Sequence, residues 1–154
     1  MKLKALLLSS LLISPLAFAH MDIMVHSPYA RATPPNAATS AVFGEIKNSS
    51  DEMRKIVAVN VDVAGKAELH DVIKQGDVMK MRHIADFAIP AHGSLMLKPG
   101  GHHIMLFDLK HALKEGQSVN VEVTFANGEK YRFSAPIKKV MAGMKMDSNM
   151  HMSH

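Results

Sequence analysis

No cysteine occurs anywhere in the 154 residues. That absence removes disulfides, thiol nucleophiles and thiolate metal sites together. Strong charge of one sign is also missing: 18 Lys and Arg stand against 14 Asp and Glu, a formal charge of +4 with the signs mixed along the chain, which does not argue for nucleic acid. No Ser-His-Asp arrangement, no suggestive pair of carboxylates and no phosphate-binding loop is visible. Asp71 and Asp86 read as solvated strand or turn residues, and the chain reads as a protein that is not an enzyme. The apolar run at residues 5–16 follows Lys2 and Lys4 and leads to Ala17-Phe18-Ala19. It is too short to persist as a membrane-spanning helix and fits a bacterial secretory signal peptide, residues 1–19, cleaved after Ala19. The mature chain is then expected in the periplasm, beginning at His20, with no stable membrane insertion. Loss of Lys2 and Lys4 lowers its formal charge from +4 to +2.

Two residue types are abundant instead, with 13 Met and 10 His. Methionine is ordinarily a filler of apolar cores, but many of these lie outside apolar runs. After a Pro-rich opening, Ala32-Thr33-Pro34-Pro35-Asn36, short segments with period-two alternation or β-branched residues cover 41–46, 56–63, 67–73, 78–84, 94–97, 103–107, 119–125 and 131–137. Turn residues separate them, and the spacing predicts one all-β domain over 20–139, an antiparallel sandwich or barrel. Only residues 109–115 suggest a helical turn. From Val140 the composition changes. Residues 140–154 have no apolar periodicity, yet Met141, Met144, Met146, Met150 and Met152 recur with His151 and His154, which predicts a flexible Met/His-rich tail.

Two places pair imidazole with thioether. Residues i and i+2 of a strand point to one face, so His103 and Met105 project together while His102 and Ile104 point the other way. The second place is the hairpin over 67–84. With Gln75-Gly76 as a two-residue turn, His70 stands directly opposite Met81 and Val72 opposite Met79; a four-residue loop keeps that register and a three-residue loop breaks it. Each pair taken alone also fits core Met beside a surface His. Together, in an exported chain without cysteine, they form a set suited to Cu(I), whereas Zn(II) usually takes Cys, His or carboxylate and Ca(II) takes oxygen.

His70, then ten residues, Met81, then twenty-one, then His103-x-Met105, resembles the signature of the PCuAC family of periplasmic copper chaperones for CuA assembly. The likeness extends to "ARATPP" at 30–35, "AELH" at 67–70, "VMKMR" at 78–82, "LKPGGHHIML" at 97–106 and "LKEG" at 113–116, covering most of residues 27–137. It implies a cupredoxin-like antiparallel β-sandwich. It also implies Cu(I) held by His70, Met81, His103 and Met105, and delivery to a copper-accepting protein such as the CuA-bearing subunit of cytochrome c oxidase or another copper-assembly factor. Two departures leave those four positions untouched: Asn36 stands where Gly is frequent, and Val72 where a further Met is often found. Some members carry a Met/His-rich extension proposed to hold a second copper, which makes Met144, Met146, Met150, His151, Met152 and His154 candidate ligands for Cu(I) or Cu(II). His20, with its free amine after cleavage, and His26 could form a further weak site. A blue-copper electron carrier is excluded, since that centre needs a Cys thiolate. A copper-resistance or storage protein with no dedicated acceptor is the alternative, and a metal-free adhesion or assembly module is a third.

Overall fold

Apolar residues at every second position make this chain a stack of half-buried strands. In 118–125 the inward set Val119, Val121, Val123 and Phe125 is buried, and in 130–138 Ala135 and Ile137 are. The computed structural model describes residues 22–140, and among them forms ten strands: β1 Ile23–Arg31, β2 Thr39–Asn48, β3 Arg54–Val61, β4 Ala64–Gln75, β5 Val78–His83, β6 Phe87–Ile89, β7 Ser94–Leu97, β8 His103–Leu109, β9 Ser118–Phe125 and β10 Lys130–Lys138. The expected signal peptide, His20 and the candidate tail residues Met144, Met146, Met150, His151, Met152 and His154 lie outside the described residues.

Neighbouring strands run in the order β5-β4-β8-β2-β1-β10-β9-β3-β6, with β7 also on β2. All pairings are antiparallel except β1 with β10, a short parallel contact at Ala30–Ile137 and Arg31–Lys138. Although β2 and β6 are far apart in that order they touch, so the path doubles over into two layers. Between the layers lie Val42, Ile46, Ile56, Leu69, Phe87, Ile104, Leu106 and the inward residues of β9. Each such side chain contributes roughly 1.5–3 kcal/mol on burial, which is how a chain without disulfides holds together.

All eight expected strand segments are present, but two further strands appear. β1 was hidden because its alternation breaks: the register with β2 shifts between His26 and Tyr29, and Ser27 has φ 48°. Opposite the bulge, Gly44 has φ +148° and a Cβ there would sit 3.0 Å from the Cα of Pro28, so glycine is required on both counts. β6 is only three residues long. No helical turn forms over 109–115. That segment is irregular and is fixed by the fully buried Leu113, whose backbone N–H donates to Thr33 Oγ1 at 2.9 Å and whose carbonyl accepts from Thr33 N–H at 2.9 Å. Leu113→Ala should therefore cost about 2–5 kcal/mol in urea unfolding, a core-sized loss from a residue in a loop.

Candidate copper site

The β5-β4-β8-β2-β1 layer has two faces. Leu69, Ile104, Leu106, Val42 and Ile46 point into the core. The alternate residues point outward: Glu68, His70 and Val72 on β4, His103 and Met105 on β8, Met81 and His83 on β5, Ala41 and Phe43 on β2. One outward patch is itself apolar, since Tyr29, Ala41 and Phe43 are buried against one another, with Val140 packed on them and the Tyr29 and Phe43 rings 5.2 Å apart. A cleft of about 150 Å³ opens beside this patch, lined by Met81, His103 and Met105 together with Val72, Ala41, Phe43, Arg31 and the Pro99-Gly100 turn.

The hairpin register corrects one expectation. The turn is Gly76-Asp77, not Gln75-Gly76, because the glycine with φ +64° occupies the first loop position and Gln75 pairs with Val78. His70 therefore faces His83, and Met81 faces Val72. The loop still has two residues, so His70 and Met81 stay on the same face as diagonal neighbours rather than directly opposed. Across the other edge of β4, His70 is the register partner of His103, with ring centroids 5.7 Å apart. His83 was not singled out from the sequence, and the pattern that would have found it is the glycine-led turn.

Both imidazoles are buried on the outward face, His70 at 9% exposure and His103 at 2%. Each has one ring nitrogen held and the other left over. His70 Nε2 lies 2.8 Å from Glu68 Oε2, and His103 Nδ1 lies 2.9 Å from the Gly101 carbonyl; both acceptors take a hydrogen bond from the ring N–H. The opposite atoms, His70 Nδ1 and His103 Nε2, are buried without a hydrogen-bond partner. A buried polar atom left so costs about 1–3 kcal/mol, and two such atoms stand here on adjacent strands. Fixing one ring nitrogen by an acceptor is how metal-ligating histidines are oriented. Met105 is half-buried beside His103, and Met81 is 63% exposed at the cleft mouth.

The charges around the pair agree with this. The hydrogen bond from His70, then that from Lys66, hold the Glu68 carboxyl at about 2, so it is ionised at any ordinary pH. Burial pushes the His103 imidazole below its usual range, with the nearby His70 and Arg31 acting the same way and the Gly101 hydrogen bond opposing. A depressed imidazole pKa means that the folded state binds a proton less readily than the unfolded chain. The stability it contributes is complete above the unfolded value of about 6.5 and is lost as pH falls towards the folded one. Urea unfolding of the copper-free protein between pH 7.5 and 5.5 should show that loss, with a shallower pH slope in His103→Leu.

His102 behaves as expected of a neighbour: it points away from the cleft, stacks on Phe87 at 5.3 Å and lies 3.0 Å from Asp71. Asp71 is thus less solvated than the sequence suggested, at 20% side-chain exposure and also near Arg82. Among the described residues no group of three His, Cys, Asp or Glu could hold a metal ion, so a site at this cleft needs the thioethers.

The chain is similar to known proteins over most of this domain. The LpqE-like family profile, a lipoprotein family, matches residues 23–137. A protein of Leifsonia xyli subsp. xyli named as a lipoprotein is 33% identical over 100 residues, and an uncharacterized protein of Rickettsia prowazekii 29% over 102. Each match takes in 64% of this chain but only 60% and 56% of those relatives. Among solved structures, the apo PCuAC domain of PmoF1 superposes with a TM-score of 0.66 at 25% identity, covering 77% of this chain and 95% of that one. The solution structure of Cu(I)-loaded DR1885 from Deinococcus radiodurans gives 0.62 at 30% identity over 78% and 82%. Its apo form gives 0.63 at 25% over 92% and 95%. These matches bear out the cupredoxin-like sandwich: the chain belongs to the LpqE-like family and is a PCuAC domain.

Proposed function

We propose that the protein is a periplasmic copper chaperone that is not an enzyme, binding Cu(I) through His70, Met81, His103 and Met105 and passing it to a copper-accepting protein such as a CuA-bearing oxidase subunit. The observation that carries this reading is the pair of buried, unpartnered nitrogens, His70 Nδ1 and His103 Nε2, on adjacent strands beside a cleft that two methionines line. Imidazole with thioether suits Cu(I). Copper binding in the Cu(I)-loaded DR1885 structure, at 30% identity, supports it. The family's lipoprotein character and the N-terminal sequence support a place outside the cytoplasm. Among the described residues no helix is long and apolar enough to cross a membrane.

His70, held by ionised Glu68, is the stronger metal donor of the two imidazoles in this reading, since a carboxylate on a ring N–H strengthens the opposite lone pair. Glu68→Gln keeps an acceptor oxygen but removes the charge. It should weaken Cu(I) binding about tenfold in an anaerobic chelator competition.

Incubating the Cu(I)-loaded protein with a CuA-bearing subunit tests delivery. Appearance of the CuA spectrum with loss of copper from the donor is expected; tight retention would overturn the chaperone in favour of storage. Storage is the second reading because of residues 141–154, whose Met144, Met146, Met150, His151, Met152 and His154 form a candidate second copper site for Cu(I) or Cu(II). They follow Val140, which packs on the apolar patch beside the cleft.

A further inference from the structure

His83 is the register partner of His70, and His70 of His103, so three imidazoles stand in one row across β5, β4 and β8. Their ring centroids are 6.1 Å and 5.7 Å apart. Exposure falls steeply along the row: His83 is open to solvent, His70 is 9% exposed and His103 2%. On β5, Met81 and His83 are two residues apart and share a face, which repeats in reverse the His103 and Met105 pair of β8. His70 thus has an imidazole-thioether pair on either side. The outer pair belongs to a strand whose six residues are all exposed and which lies at one end of the strand order.

These facts do not describe one three-imidazole cage, since no three such groups among the described residues could hold a single ion. They describe two overlapping positions. We propose that the site has a second, outer copper position made by His70, Met81 and His83, from which the ion leaves for its acceptor across the exposed face of β5. This deepens the chaperone reading and rests on it. In the step, the bonds from copper to His103 and Met105 break while a bond to the neutral His83 imidazole forms. His70 and Met81 stay bound, the ion remains Cu(I), and no electron or proton is transferred. Exchange of one or two weak ligands at a time keeps the ion from ever being bare, which is what handover between proteins requires.

The test uses Ag(I), a redox-inert monovalent ion of the same ligand preference, added to the mature full-length chain with ¹⁵N-labelled histidine rings and ¹³C-labelled methionine methyls. In the wild type the first equivalent should shift His70, His103, Met81 and Met105. In Met105→Leu, which weakens the inner position, the His83 ring nitrogen should shift together with His70 and Met81. A His83 ring that stays unmoved in both proteins, while His70 and His103 respond in the wild type, overturns the outer position alone. Silence of His70 and His103 in the wild type overturns the copper reading and the outer position with it. Independently, His83→Gln should slow Cu(I) transfer to a chelating acceptor about tenfold. His92→Gln, in the turn between β6 and β7 where His92 pairs with Asp51, should leave the rate alone; equal rates for His83→Gln and wild type also overturn the proposal.

Discussion

Replacing His103 with leucine should cut the copper-dependent rise in melting temperature to what the outer position alone supplies, while leaving the copper-free protein at least as stable as the wild type. Truncating or exchanging a residue with 2% exposure ordinarily destabilises. Here the native residue carries an uncompensated cost, because Nε2 is buried with no partner. Removing that atom recovers about 1–3 kcal/mol, against the loss of one hydrogen bond to Gly101 worth about 1 kcal/mol. Leucine is close enough in size to fill the space between Phe43, 6.3 Å away ring to ring, and His70. With Cu(I) at a thousand times its dissociation constant, the wild type should gain about 4 kcal/mol of apparent stability, and the variant clearly less. Calorimetry of both proteins, with and without copper under anaerobic conditions, separates a residue kept for binding from one kept for packing. A His103→Leu protein that loses several kcal/mol without copper would mean that the imidazole is structural.

Removing both thioethers, as Met81→Ala with Met105→Ala, should lower Cu(I) affinity at least about 100-fold, the scale set by the loss of even an outer partner of a metal ligand. The apo fold should tolerate the change unevenly. Met81 is 63% exposed, so its truncation costs little, whereas Met105 is half-buried next to Ala41 and leaves a small gap. Affinity and stability therefore move apart in the double variant. Cu(II) should be less affected than Cu(I), because thioethers are ligands for the soft ion and the two imidazoles remain. Equal losses for both ions would argue that the methionines act through the shape of the cleft.

The site was legible in the sequence to the extent that it depends on strand parity. His103 and Met105 share a face because they are two residues apart, and His70 and Met81 share one because the loop between them has an even number of residues. What alternation does not encode is the exact pairing. That was decided by Gly76 taking the positive-φ position, which moved His70 from Met81 to His83 and brought an unsuspected imidazole to the row. The contact of His70 with His103 is a long-range pairing of β4 with β8, set by how the layer closes over its core, and no local signal specifies it. Likewise β1 escaped notice because a bulge at Ser27 interrupts its period, and residues 109–115 suggested a helical turn because Leu113 serves as an isolated plug in the core. The orphaned ring nitrogens, which give the strongest indication of a ligand, exist only once burial is known.

X-ray absorption at the copper edge, on the Cu(I)-loaded mature chain with Met144, Met146, Met150 and Met152 changed to Leu and His151 and His154 to Gln, tests the ligand set most directly. Two imidazole nitrogens together with sulfur from two thioethers are expected, with the sulfur signal lost when Met81 and Met105 are also replaced. Copper bound by nitrogen and oxygen alone, or a sulfur signal that survives that replacement, would contradict a copper site built from His70, Met81, His103 and Met105.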